Sequence, residues 1–250
     1  MAKLQKTPYI CIMEDCVFRF KNFSVSHSRS SMKIGVDAVL IGSWAAENAS
    51  EILDVGCGCG IISLMMAQRF PEAQILGLDI HHESVEESRS NFVSSPWSRR
   101  LKAIEGEFPI APELYERKFD LIISNPPFFA SGLTELKTPR ERARHQASLS
   151  VEALLKHSKD FLIQNGVLAM IFPENSYREA LSLSSESEFQ VNRICRIRNN
   201  FNRPVKRIMV EFVYRPTKVC YPKEEILTLF QDTQPTTEYI SLCKDFYLKF

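Results

Sequence analysis

The chain has 250 residues, 44% of them hydrophobic and 24% charged, with a formal net charge of +1. This is the composition of an ordinary folded protein, one large domain or a domain with an appendage. It excludes a low-complexity or strongly basic chain, so any affinity for nucleic acid must come from a local patch.

The N-terminus, "MAKLQKTPYI", lacks the apolar core of a signal peptide. No run approaches the roughly 18 apolar residues of a membrane span. A cytoplasmic monomer with no membrane contact and no obligate protein partner is expected. The seven cysteines are Cys11, Cys16, Cys57, Cys59, Cys195, Cys220 and Cys243. Their number is odd, Cys57 and Cys59 are too close for a CxxC site, and no Cys/His pair completes a zinc set. Free thiols in a reducing cytosol and no metal are expected.

In chain order, "FRFKNFSVSH" (18–27) alternates aromatic and polar residues like a strand. "DAVLIGSWAAE" (37–47) has helical periodicity, with Asp37 placed as an N-cap. Residues 1–50 are expected to be an N-terminal segment packing on a core of 51–250. In that core "EILDVG" (51–56) is a strand running into glycines, and "IISLMMAQRF" (61–70) is a helix stopped by Pro71. "AQILGLDI" (73–80) is a second strand, "ESVEESRSNFV" (83–93) a helix with a charged face, and "KAIEGE" (102–107) a third strand. "FDLIISN" (119–125), the helix "VEALLKHSKDFLI" (151–163) and the strand "GVLAMIFPE" (166–174) follow. Such alternation predicts an α/β fold, a Rossmann-like doubly wound sheet that is mostly parallel. "QVNRICRIRNN" (190–200) and "RIMVEFVYR" (207–215) read as a C-terminal antiparallel hairpin at its edge. "EYISLCKDFYLKF" (238–250) reads as a short closing helix.

The loop "LDVGCGCG" (53–60) follows the first strand and opens a helix. Gly56, Gly58 and Gly60 permit a tight turn and close approach of a ligand to backbone, while the helix N-terminus presents free N–H groups. Asp79 ends the next strand, where an acid binds ribose hydroxyls. Dinucleotide sites favour GxGxxG, whereas this pattern is DxGxGxG beginning at Asp54. It looks like the S-adenosyl-L-methionine signature of Rossmann-like methyltransferases. A dinucleotide site or a purely structural loop are the alternatives. Glu107 ends the third strand beside the same crevice, either accepting from the ligand's adenine amine or standing as a solvated acid.

"SNPPFF" (124–129) ends the fourth strand. Two prolines stop a strand abruptly. An amine conjugated to a ring is a poor nucleophile, because its lone pair is delocalised. Two acceptors that take its protons make it more tetrahedral. The Asn125 side-chain oxygen and the carbonyl of Pro126, held stiff by its ring, suit that role. Phe128 would stack on a base, and Phe129 serves either the core or the substrate. A plain strand-to-loop turn is the bland alternative.

"NPPF" at 125–128 together with "DVGCGCG" at 54–60 resembles the signature of amino methyltransferases acting on adenine, guanine or glutamine amides. "FRFKNFSVSHSRSSMKIGVDAVLIGSW" (18–44), "NFVSSPW" (91–97), "TPRERARH" (138–145), "IFPE" (171–174) and "DFYLKF" (245–250) narrow the resemblance. They are similar to the bacterial tRNA1(Val) adenine-37 N6-methyltransferase family over nearly the whole chain. The resemblance implies methyl transfer to the N6 amine of adenine 37 of a tRNA. It places Lys33 and Asp37 by the cofactor, the three glycines in its loop, Asp79 on the ribose and Asn125 to Phe128 on the target adenine. Glu107 departs from the usual aspartate. N-methylation of an rRNA guanine, a DNA adenine or a protein glutamine are rival activities. A non-catalytic RNA-binding protein is the non-enzyme alternative, against which an intact NPPF argues.

Two basic clusters are candidate tRNA surfaces. One is Arg193, Arg196, Arg198, Arg203, Lys206 and Arg207; the other is Arg140, Arg142, Arg144 and His145. Each also reads as a solvated face.

Overall fold

The computed structural model describes residues 16–30, 33–127 and 149–250. Phe128, Phe129, Arg140, Arg142, Arg144 and His145 lie outside the described residues.

The first described elements are a small hairpin, β1 (Val17–Arg19) and β2 (Ser24–Ser26), where the periodicity had suggested one strand. Helix α1 (Val36–Trp44) follows. The alternating core is β3 (Glu51–Val55), α2 (Ile61–Arg69), β4 (Gln74–Asp79), α3 (His82–Val93), β5 (Leu101–Glu105) and β6 (Phe119–Ser124). Then come α4 (Val151–Ser158), β7 (Leu162–Pro173), α5 (Tyr177–Glu186), β8 (Phe189–Asn200) and β9 (Val205–Tyr214). The chain finishes with β10 (Lys223–Gln231), β11 (Gln234–Pro235) and α6 (Thr237–Cys243).

Among the described residues nine strands form one sheet in the order β11-β10-β8-β9-β7-β6-β3-β4-β5. From β5 to β7 every neighbour pair is parallel, and β9 runs against both β7 and β8. The β8–β9 hairpin therefore forms as expected, but it is not the edge. Strand β10 pairs parallel to β8 and β11 folds back on β10. Glu224, Glu225 and the exposed Ile226 hide the alternation that would have marked β10 in sequence. The helix read over 151–163 stops at Ser158, because Leu162 already pairs with Phe119 in the sheet.

Strand residues alternate between two cores. Ile52, Leu121 and Ile123 face α1, α2 and α6, while Leu53, Val55 and Ile122 face α4 and α5. The N-terminal hairpin joins the first core: Phe20 stacks on Phe23 at 4.6 Å, and Phe23 meets Trp97 edge-on at 5.7 Å. Lys21 Nζ donates to the carbonyls of Lys244 and Phe250, tying that hairpin to the C-terminal tail. Two arginines satisfy carbonyls at helix ends. Arg69 donates to Gly42, Ala45 and Ala46 after α1, and Arg100 to Ala67, Phe70 and Ala73 after α2. Among the described residues no helix is long and apolar enough to cross a membrane.

Candidate active site

In a doubly wound sheet the ligand crevice lies beyond the carboxyl ends of the strands, where the strand order reverses. Here that point is between β3 and β6. The loop after β3 turns sharply: Gly56 and Cys57 N–H both donate to the Leu78 carbonyl, and Gly60 N–H to the Cys57 carbonyl. Gly58 sits at φ 54° and Gly60 at φ 81°, the left-handed region that side chains avoid. The reasons for glycine differ. A Cβ at Gly60 would lie 2.9 Å from Phe92 Cζ, so α3 packs directly on the turn. A Cβ at Gly58 would meet nothing within 4 Å among the described residues, so this side of the loop is open for a ligand.

Gly60 is the N-cap of α2 and has no side chain to cap it. Asp54, one strand position back from Val55, supplies the acceptor instead. Its Oδ2 accepts from Ser63 N–H at 3.0 Å and Ser63 Oγ–H at 2.6 Å. Asp54 is fully buried, and burial pushes its carboxyl up to about 7 despite Ser63; the charge of Asp79 pushes the same way. Its Oδ1 has no partner among the described residues.

Asp79 ends β4 as expected, and both its oxygens already accept backbone N–H groups: Oδ2 from Gly58 at 2.8 Å and Oδ1 from His81 at 2.9 Å. The acid thus shapes the loop and keeps further lone pairs for a ligand. Glu107 follows β5 at the same end of the sheet and is exposed.

Strand β6 is pinned beside the loop. Ser124 pairs with Val55, and its Oγ donates to the Val55 carbonyl at 2.7 Å. Asn125, the next residue, is therefore level with Gly56. Its Oδ1 is buried without a partner among the described residues, and Pro126 is buried behind it. A buried acceptor left unpaired is costly unless a ligand fills it.

Asp37 does not cap α1; Gly35 holds the N-cap position without a side-chain bond. The physical reason is an ion pair. Arg207 Nε donates to Asp37 Oδ2 at 2.6 Å, and Asp37 Oδ1 is a third buried acceptor without a partner among the described residues. Arg207 pairs with Pro173 at the end of β7, so this contact also lies at the crevice end of the sheet. Lys33 turns back on its own segment, donating to the carbonyls of His27 and Ser28 at 2.6 and 3.2 Å.

Two residues that the sequence reading passed over organise the N-terminal segment. Glu87 of α3 accepts from Ser26 Oγ, Ser28 Oγ, Arg29 N, Ser30 N and Ser30 Oγ. Burial pushes its carboxyl up, but these donors outweigh burial and hold it at about 2. Asn91, one turn on, accepts from Ser26 N–H and donates to the carbonyls of Ser26 and Cys59. It ties the segment to the glycine loop. The signal was present: Glu87, Ser88 and Asn91 lie with Val85 and Phe92 on the buried face of α3.

The basic cluster on β8 and β9 is largely engaged internally. Arg193 pairs with Glu211 and lies over Trp44, Arg196 pairs with Glu174, and Arg207 holds Asp37. Arg198 donates to Thr228 Oγ1 and the Phe201 carbonyl. Arg203 and Lys206 are exposed.

A parallel sheet reversing at β3 and β6, a glycine cradle and acceptors beside it without a partner among the described residues define a Rossmann-like methyltransferase. The methyltransferase small domain family matches residues 19–201. A predicted O-methyltransferase from Agrobacterium tumefaciens superposes with a TM-score of 0.66 at 18% identity, covering 84% of this chain and 96% of that one. A tRNA1(Val) (adenine(37)-N6)-methyltransferase of Vibrio vulnificus is 35% identical over 93% of this chain and 95% of its own length. The enzyme of that name from Christiangramia forsetii is 35% identical over 95% of this chain and 100% of its own length. The chain belongs to the tRNA1(Val) (adenine(37)-N6)-methyltransferase family.

Proposed function

We propose that this protein transfers a methyl group from S-adenosyl-L-methionine to the N6 amine of adenine 37 in tRNA1(Val). The observation that carries the reading is Asn125 Oδ1, a buried acceptor lacking a described partner, level with the glycine loop and followed by Pro126. The substrate is taken from the family to which the chain belongs.

When bound, S-adenosyl-L-methionine supplies an electrophilic methyl on a sulfonium. The residues suit a ligand that is cationic and needs no phosphate site. Gly56, Gly58 and Gly60 offer backbone, Asp79 offers acceptors to ribose hydroxyls, Asp37 adds a half-buried carboxylate, and Asp54 a buried carboxyl. Lys33 and Glu107 border this set. Asn125 Oδ1 and the Pro126 carbonyl accept the two amine hydrogens of the adenine, which keeps the nitrogen lone pair directed at the methyl. Phe128 stacks on the base. The nitrogen–methyl bond forms as the sulfur–methyl bond breaks, the neutral thioether leaves, and the proton that the nitrogen sheds passes to solvent, so no strong base is required and the rate gain comes from orientation. Residues 1–50 serve as an N-terminal segment on the 51–250 methyltransferase domain, and within it Ser26, Ser28, Arg29 and Ser30 are latched to Glu87 and Asn91. Arg140, Arg142, Arg144 and the exposed cations Arg203 and Lys206 contact the tRNA.

The test offers labelled S-adenosyl-L-methionine with total tRNA, rRNA, DNA and protein from a strain lacking this enzyme. Label in tRNA as N6-methyladenosine at position 37 is expected. Label confined to rRNA, DNA or protein would reject the reading.

A further inference from the structure

We propose that the tip of the β8–β9 hairpin is a second nucleotide platform, where Phe201 stacks on an unpaired base of the RNA flanking the target adenine while Arg203 and Lys206 bind its phosphates. This deepens the proposed function and rests on it.

The topology puts the tip on the correct side. Strand β8 runs in the same direction as β6 and β7, so its carboxyl end points to the crevice. The registers align Ser124 with Met170, Met170 with Val210 and Val210 with Ile194. From that level β8 continues to Asn200, a rise of roughly 20 Å at about 3.3 Å per residue. Laterally, three strand steps of about 4.8 Å separate β8 from β6. The tip therefore projects beyond the carboxyl end of the sheet, on the same side as Asn125.

Its chemistry is that of a stacking site. Phe201 is 50% exposed although it is a large aromatic. It is also stiffened: the Arg198 guanidinium lies 5.1 Å from the ring centroid, while the same side chain donates to the Phe201 carbonyl at 3.3 Å and to Thr228 Oγ1 at 2.8 Å. The anchored guanidinium lies over the ring, and the residue stays half exposed. Asn199, Asn202, Arg203 and Lys206 around it are exposed. Asp232 in the neighbouring turn is the facing acid, and its carbonyl accepts from Asn200 Nδ2. An apolar protein partner would be matched by contiguous apolar surface. A single exposed ring among amides and cations is matched by a base and its phosphates.

The full-length protein is titrated with fluorescently labelled, unmodified tRNA, comparing wild type with Phe201→Ala, Phe201→Leu, Phe201→Trp and the double variant Arg203→Ala/Lys206→Ala. Phe201→Ala and Phe201→Leu are expected to weaken binding roughly 5- to 150-fold, the range of one lost base stack, with Phe201→Trp near wild type. Cofactor affinity, read by calorimetry, should not change, and the loss should fall on KM for tRNA more than on kcat. The double variant should reduce the salt slope of log K by about 1.4, two contacts at about 0.7 each. Phe201→Ala or Phe201→Leu binding within twofold of wild type would overturn the platform while leaving a tRNA-methylating wild type intact. Unchanged RNA affinity with altered sedimentation would make the tip a protein contact and overturn it also. Failure of wild type to bind or methylate tRNA would reject the function and the platform together.

Discussion

Arg207 of β9 and Asp37 of α1 are 170 residues apart in sequence and meet at 2.6 Å. Burial raises the Asp37 carboxyl, and Arg207 opposes that rise. The arginine is partly exposed, so its attraction is screened, but without it a half-buried carboxylate stands alone. Arg207→Ala should therefore destabilise the protein more than Asp37→Asn. Denaturant unfolding of both singles and the double should give a coupling of about 1–2 kcal/mol. Additive effects would mean that the pair contributes nothing to joining α1 to the sheet.

Glu87 makes the N-terminal segment sensitive to acid. Its carboxyl is held at about 2 in the fold, below the ordinary 4.5, so its contribution is complete above 4.5 and is lost as pH falls through about 2. Glu87→Gln would turn an amide N–H against a donor from Arg29 or Ser30. It should cost about 2 kcal/mol or more at neutral pH and flatten the loss of stability between pH 4.5 and 2. An acid limb unchanged from wild type would count against the latch.

Asp54 works in the opposite sense. Its carboxyl is raised from 3.8 to about 7, so the fold keeps a proton that the unfolded chain sheds. Stability should fall as pH rises from about 4 to 7 and level off above. Asp54→Asn can still accept from Ser63 and has no proton to lose. Its stability, measured by denaturant at successive pH values, should lack that decline. A slope equal to wild type would mean that Asp54 is ionised throughout.

The loop glycines should separate folding from binding. Gly60→Ala combines φ 81° with a Cβ 2.9 Å from Phe92 Cζ, so it should lower Tm steeply. Gly58→Ala has φ 54° but an open side, so strain of about 1–2 kcal/mol is expected. Its larger effect should be weakened binding of S-adenosyl-L-methionine, seen by calorimetry. Equal cofactor affinity in Gly58→Ala and wild type would show that the open side is not the ligand side.

Asn125→Ala should reduce kcat at least tenfold, about 1.4 kcal/mol of barrier, with cofactor affinity little changed. A smaller loss would show that the amine clamp is not central.

The strands, helices and glycine turn of the parallel core are legible in the amino-acid sequence because their signals are local, although β3 then pairs with β6 across 69 residues. Apolar runs of strand length, helices of 3.6 periodicity and glycines at a strand end act within about twenty residues, and Asp54, Gly58, Asp79 and Asn125 all stand where their motifs put them. Tertiary structure decided what depends on contacts between distant segments. Asp37 reads as a helix cap until Arg207 arrives from β9; Arg193 and Arg196 read as free charge until Glu211 and Glu174 neutralise them. Strand β10, with its acidic start, reads as a strand only when β8 offers it an edge. The sheet also turned an unremarked phenylalanine, Phe201, into the raised tip of a hairpin on the crevice side. Sequence separation hides such pairings, since the physics that forms them acts through space after the chain has folded.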